Sequence, residues 1–207
     1  MSGGPGRPWG HPWAVARRPW IVAAGLGLYA VLLLLVRESV LRVPSLTVFG
    51  SPGVKAMNFL PLIVCVCLLH CLERRLPPAE ATAVRGVGNA DRLLVATTLG
   101  TVVLIGTVFH LTFAMPSATA CARNTIVLTG IALAARAWRG AALAAVVTVG
   151  WLLLTLACGL RTPADPYPWA VLLEPAGRPE AALAALLALA AGLYAVGHQP
   201  GRGRTLR

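Results

Sequence analysis

Six apolar runs without a single acidic residue dominate this sequence: Trp20–Val36, Met57–Leu72, Leu93–Met115, Thr125–Trp138, Ala141–Leu160 and Ala181–Gly197. A bilayer crossing takes about 20 residues, so six of them use roughly 120 positions. That is more than half of a 207-residue chain, and the chain is 57% hydrophobic. Charged residues make up 12%, about half of what a soluble domain carries. One core of this size cannot bury so much apolar surface. The pattern disfavours a soluble enzyme, a disordered chain and a disulfide scaffold, and predicts an all-α, polytopic membrane helix bundle with six transmembrane helices.

The third and fifth runs span unaided, and the first, at 17 residues, reaches across with help from its flanks. The fourth has only 14 residues between Asn124 and Arg139. It crosses if Ala118–Ala122 joins it and Arg123 snorkels to the outer interface. The predicted spans are then about 20–36, 57–72, 93–115, 118–138, 141–160 and 181–197.

The net charge of +11 is read from its placement. With the N-terminus inside, the cytoplasmic side receives 12 basic and three acidic residues, and the other side six basic and four acidic. This is the asymmetry of the positive-inside rule. Residues 1–19 become a cytoplasmic N-terminal segment, 20–197 the six-span domain, and 198–207 a basic cytoplasmic tail, in the cell membrane. No run of five like charges exists, so a nucleic-acid arm is not expected. The first run meets Arg37 and Glu38 with no small-x-small cleavage site before them, which marks a retained helix rather than a secretory signal. Trp9, Trp13, Trp20 and Trp138 fit an interfacial aromatic belt.

Two loops stand out. Between spans two and three, ERRLPPAEATAVRGVGNADR (Glu73–Arg92) stops the second span at Pro77-Pro78. It then offers a short helix-capable stretch, Ala79–Val87, bounded by Gly86 and Gly88. A solvated connector and a docking helix for a cytoplasmic partner both fit it. Between spans five and six, Arg161–Glu180 sets five prolines around the apolar stretch Tyr167–Leu173. That segment lies at the outer interface or dips back among the helices, or is a stiff connector on the headgroups.

Candidate chemistry is sparse. Cys67, His70 and Cys71 share one face of the second span, but a closed metal site wants four ligands and nothing else has matching spacing. His70 and His110 fall at different depths, against a bis-histidine haem. Cys121 and Cys158 both fall at the outer side, where a disulfide is conceivable but unpaired buried thiols, common in helix bundles, are favoured. No hydrolase elbow, paired zinc histidines or phosphate loop is present, and no carboxylates are paired within a span, which weakens a proton-driven transporter. No catalytic, cofactor or metal residue is therefore assigned. Thr148, Trp151, Thr155 and Cys158 form a stripe on the fifth span, read as a possible substrate path or as hydroxyls bonded back to their own helix. Ala181, Ala184, Ala188, Ala191 and Ala195 form a small-residue stripe for packing, within the chain or across a dimer.

The layout resembles the permease subunits of type-two, exporter-type ATP-binding-cassette transporters. It has six spans with both ends cytoplasmic, a basic loop with a short helix between spans two and three, and an apolar, proline-rich outer segment between spans five and six. ARNTIVLTGIALAARAWRG (Ala122–Gly140), Trp169–Ala176 and the closing GLYAVG also look like small permease-like proteins of GC-rich bacteria. The resemblance implies a membrane subunit of an ATP-driven exporter, a homodimer or one of a permease pair, served by a separate ATPase. It implies that Glu73, Arg74, Arg75, Glu80, Arg85, Asp91 and Arg92 contact that ATPase. One departure is the N-terminus, where Pro5, Pro8, Pro12 and Pro19 leave barely a turn for the amphipathic helix that usually opens the family. The reading from another class is a non-transporting membrane interaction or immunity protein.

Overall fold

The computed structural model describes residues 18–42, 53–73, 86–162 and 165–197. Six α-helices account for most of them: α1 (Trp20–Val36), α2 (Pro61–Glu73), α3 (Gly86–Phe113), α4 (Pro116–Arg139), α5 (Ala141–Cys158) and α6 (Pro179–Gly197). Five helical segments are long and apolar enough to cross a membrane, α2 together with the 3-10 turn Ala56–Phe59 that leads into it, and α1 is a shorter apolar helix. The chain has the helical, apolar build of a multi-pass membrane protein.

The helices form where apolar residues run without a breaker, and their ends have local causes. Pro116 starts α4 at its first turn, where its missing N–H costs nothing. Gly140 alone separates α4 from α5, at φ 93°; that left-handed backbone favours glycine. The largest difference from the sequence expectation is α3. Gly86 and Gly88 do not bound a separate helix but lie inside α3, which begins seven residues before Leu93 and runs for 28. At 1.5 Å per residue it is about 42 Å long, so it projects beyond a hydrocarbon core of about 30 Å. The rest of the expected short helix, 79–85, lies outside the described residues, as do the segments 1–17 and 198–207.

α4 is the hub. It is the least apolar of the five long segments, yet 67% of its apolar window is buried, against 17% for α6. The reason is physical. Its Arg123, Asn124, Thr125, Thr129 and Arg136 need protein partners in a bilayer and so face inward. The purely apolar faces of α3, α5 and α6 are left for lipid, with Leu104, Leu111, Val146 and Leu187 exposed. Small residues bring α6 against α4. A Cβ on Gly192 would lie 2.7 Å from the Gly130 carbonyl oxygen, and one on Gly130 would lie 2.7 Å from the Leu189 nitrogen. The alanine stripe thus has a partner within the chain, with Ala188 against Gly130.

The sequence did not announce two short antiparallel pairs at one end. β1 (Val40–Arg42) pairs with β2 (Gly53–Lys55), Leu41 opposite Val54. β3 (Leu160–Thr162) pairs with β4 (Asp165–Pro166). Up-and-down connectivity puts both pairs at the end where α1, α3 and α5 finish, and together they cap the bundle there. The segment 74–85 joins α2 to α3 at the opposite end.

Candidate functional sites at the two ends of the bundle

The cap is held by side chains of α4. Arg123 is 8% exposed and turned into the protein rather than snorkelling outward. Its guanidinium donates to three loop carbonyls: from Nη1 to Pro175 O at 2.9 Å, and from Nη2 to Val171 O at 2.9 Å and Glu174 O at 2.7 Å. The neighbouring Asn124 accepts from Arg123 at Oδ1 (3.0 Å) and donates from Nδ2 to Leu172 O (2.7 Å) and to Asn58 Oδ1 (3.3 Å). The loop needs outside donors because proline has no N–H, and five prolines strip its local supply. Ala170 and Leu172 are buried within the bundle, Leu172 on the 3-10 turn Val171–Leu173, while Tyr167 and Trp169 ahead of them are exposed, so the stretch tucks in by its second half.

On the other half of the cap, Glu38 pairs with Lys55 at 2.5 Å and accepts from the Ser117 hydroxyl. This joins the end of α1 and β2 to the first turn of α4. Burial alone would raise the Glu38 carboxyl, but Lys55 and Ser117 outweigh it and hold the group below the ordinary carboxylate value. A carboxylate lowered in the folded state stabilises it above its unfolded pKa, and that contribution is lost as pH falls through the lowered value. We expect the protection of the Gly53–Lys55 amides, relative to their intrinsic exchange, to fall as pH drops below the ordinary carboxylate value, and the Glu38→Gln variant to show no such step.

Between the halves lies a cleft of about 340 Å³, lined by Lys55, Asn58, Ser117 and Glu174 among apolar residues including Met57 and Leu172. Tyr167 stacks on Trp169 (6.2 Å), and Trp169 meets Trp151 of α5 edge-on (6.3 Å). Tyr167 and Trp169 are exposed, and amphipathic rings of this kind are the ones enriched at membrane interfaces.

The residues singled out from sequence fall elsewhere. Thr148 and Thr155 are buried, and their hydroxyls donate to Ala144 O (2.6 Å) and Trp151 O (2.8 Å) of their own helix. Trp151 is half-buried. In this conformation neither hydroxyl is offered to a passing solute. Cys121 and Cys158 are free thiols. Cys121 takes the Tyr29 hydroxyl at 3.3 Å and reaches Met57 O at 3.3 Å, which turns its sulfur away from α5. The structure therefore predicts that a thiol reagent in detergent labels half-buried Cys158 well before buried Cys121, Cys65 and Cys71. On the face of Cys67, His70 and Cys71, Cys67 packs against α1, where a Cβ on Gly25 would meet its Sγ at 2.6 Å, Cys71 donates to Arg18 O at 3.6 Å, and His70 is exposed.

At the loop end, Arg74, Arg75, Glu80 and Arg85 lie outside the described residues. Glu73 and Arg92 are exposed. Asp91 is 5% exposed, so it sits inside the bundle's end instead of on a docking surface. Arg136 of α4 is also buried and donates from Nη2 to Leu72 O in the last turn of α2 (2.8 Å).

Sequence reasoning missed the roles of Asn124, Asn58 and Glu38, and took Arg123 to snorkel outward. The signal was there: a donor-poor, carbonyl-rich loop beside an Arg-Asn pair in a span. No protein-family model, curated protein or solved structure matches the chain.

Proposed function

We propose that this chain is a six-span subunit of the cell membrane, both termini cytoplasmic, serving as the permease of an ATP-driven exporter whose ATPase is a separate chain. The observation that supports this is the tie at the loop end. Arg136 links the hub helix α4 to the last turn of α2, where segment 73–92 leaves the bundle. Force applied to that segment by a closing ATPase is delivered to α4, which touches most of the bundle and also holds the cap. The dipping segment between α5 and α6 supports the same layout.

A non-transporting membrane interaction or immunity protein is the second reading, and the back-bonded Thr148 and Thr155 favour it. Affinity purification of the tagged full chain in mild detergent separates the two. The permease reading expects a stoichiometric ATP-binding-cassette ATPase. It also expects Arg92→Glu combined with Arg85→Glu to cut that co-purification at least tenfold. A chain that purifies alone, or with a partner that is not an ATPase, contradicts it and leaves the interaction reading.

A further inference from the structure

The cap cleft has unused chemistry. Glu174 lines it with a side chain only 11% exposed. Its Oε2 is buried and receives no hydrogen bond; Arg178 Nε approaches to 3.2 Å as an ion pair, from a side chain that is 54% exposed. A buried carboxylate oxygen left in that condition is costly, and an ammonium with three donors is the group that answers it. Lys55 also lines the cleft. It is half-exposed and spends one donor on Glu38, which leaves two N–H groups. Asn58 gives its Oδ1 to Asn124, so its amide N–H groups are what it has to offer.

Charge balance narrows the ligand. Lys55 pairs with Glu38, while Glu174 serves both Arg178 and the buried Arg123, so the cleft has one cation more than it has carboxylates. An ammonium joined to a phosphate, whose negative charge at least offsets the ammonium, matches both ends and adds no further positive charge. The volume lies within the range of small-molecule sites. The remaining walls, Val54, Met57, Leu172, Leu173 and Pro175, are apolar and suit a hydrocarbon continuation.

We propose that this cleft binds a zwitterionic group pairing a primary ammonium with a phosphate, the ammonium on Glu174 and the phosphate on Lys55 and Asn58. An aminophospholipid headgroup and a free aminoalkyl phosphate share that chemistry. The proposal is independent of whether an ATPase drives the bundle.

The test uses the full chain, purified in detergent and delipidated. Phosphoethanolamine and short-chain phosphatidylethanolamine are each titrated by calorimetry, with the corresponding choline compounds as comparisons. The quaternary ammonium keeps the charge and loses the N–H donors, so ethanolamine forms should bind at least tenfold more tightly. Glu174→Gln should remove that preference, and Lys55→Gln should weaken ethanolamine binding at least fivefold. Arg161→Gln, outside the cleft, should change nothing. The Glu174 side chain takes no hydrogen bond from Arg123, which uses its main-chain oxygen; Glu174→Gln keeps the shape and gives up the charge beside Arg123 and Arg178, and a cooperative thermal unfolding transition checks that it is folded. Binding of both ethanolamine probes identifies the zwitterion itself as the ligand; binding of the lipid alone identifies a bilayer headgroup. Equal affinity for choline forms, undiminished selectivity in folded Glu174→Gln, or no binding by either ethanolamine probe overturns the proposal.

Discussion

The Arg123→Met variant is expected to lose the tucked segment between α5 and α6 and to be the most damaging single change in the molecule. Methionine fills much of the same space but donates nothing. The carbonyls of Val171, Glu174 and Pro175 lose their partner together, and Asn124 loses the donor at its Oδ1. A buried acceptor left unsatisfied costs about 1–3 kcal/mol. Removing the desolvated cation returns part of that. The net loss should be on the order of 3–5 kcal/mol. It should appear as a lower unfolding temperature in detergent and as fast amide exchange confined first to the cap. Lysine should rescue little, because a point ammonium cannot reach three carbonyls spread around a planar fork. Wild-type protection of residues 171–174 in Arg123→Met would show that the apolar stretch seats itself by burial alone.

The second large effect belongs to the crossing of α4 and α6. Gly130→Leu inserts a branched side chain where even a Cβ would meet the α6 backbone. Backbone cannot rotate out of the way, so the helices must separate. Over-packing of this kind costs about 3 kcal/mol or more, and in a membrane little drives the helices back together once close packing is lost. We expect Gly130→Leu to give mostly aggregated protein on size exclusion, and Gly192→Leu to behave alike. Gly100→Ala and Gly150→Ala meet nothing within 4 Å; they should be neutral or stabilise by up to about 1 kcal/mol. If Gly130→Leu folded as well as those two, the close crossing would be wrong.

These two cases also show where a sequence speaks plainly and where it does not. Trp20–Val36 was legible to the residue, because an unbroken apolar run between Pro19 and the Arg37-Glu38 pair permits little else. The start of α3 was not. Glycine read as a stop at 86 and 88, yet a helix tolerates it when its neighbours supply the hydrogen bonds, and Asp91 is buried within that helix. The glycines illustrate the limit well: Gly130 and Gly100 look alike in the chain, and only the crossing of α4 with α6 makes one indispensable. Arg123 was visible but read in the wrong direction. A basic residue near a span's end commonly snorkels; here a proline-rich loop without donors of its own offered a better partner than water. The threonine stripe on α5 was legible as a pattern, while the direction of each hydroxyl depended on helix rotation. For the loop 73–92, only Glu73, Asp91 and Arg92 of its named residues are described, and the three are not alike in exposure.

The account turns on six crossings with the cap outside and the loop 73–92 inside. Single cysteines at three exposed positions, Arg18, Arg92 and Arg161, in a background lacking the five native cysteines, test this directly with an impermeant maleimide on intact cells. The account predicts labelling at position 161 without permeabilisation, and at 18 and 92 only after it. Labelling at 18 from outside would mean that α1 does not cross, and labelling at 92 from outside would invert the bundle; either result contradicts the account.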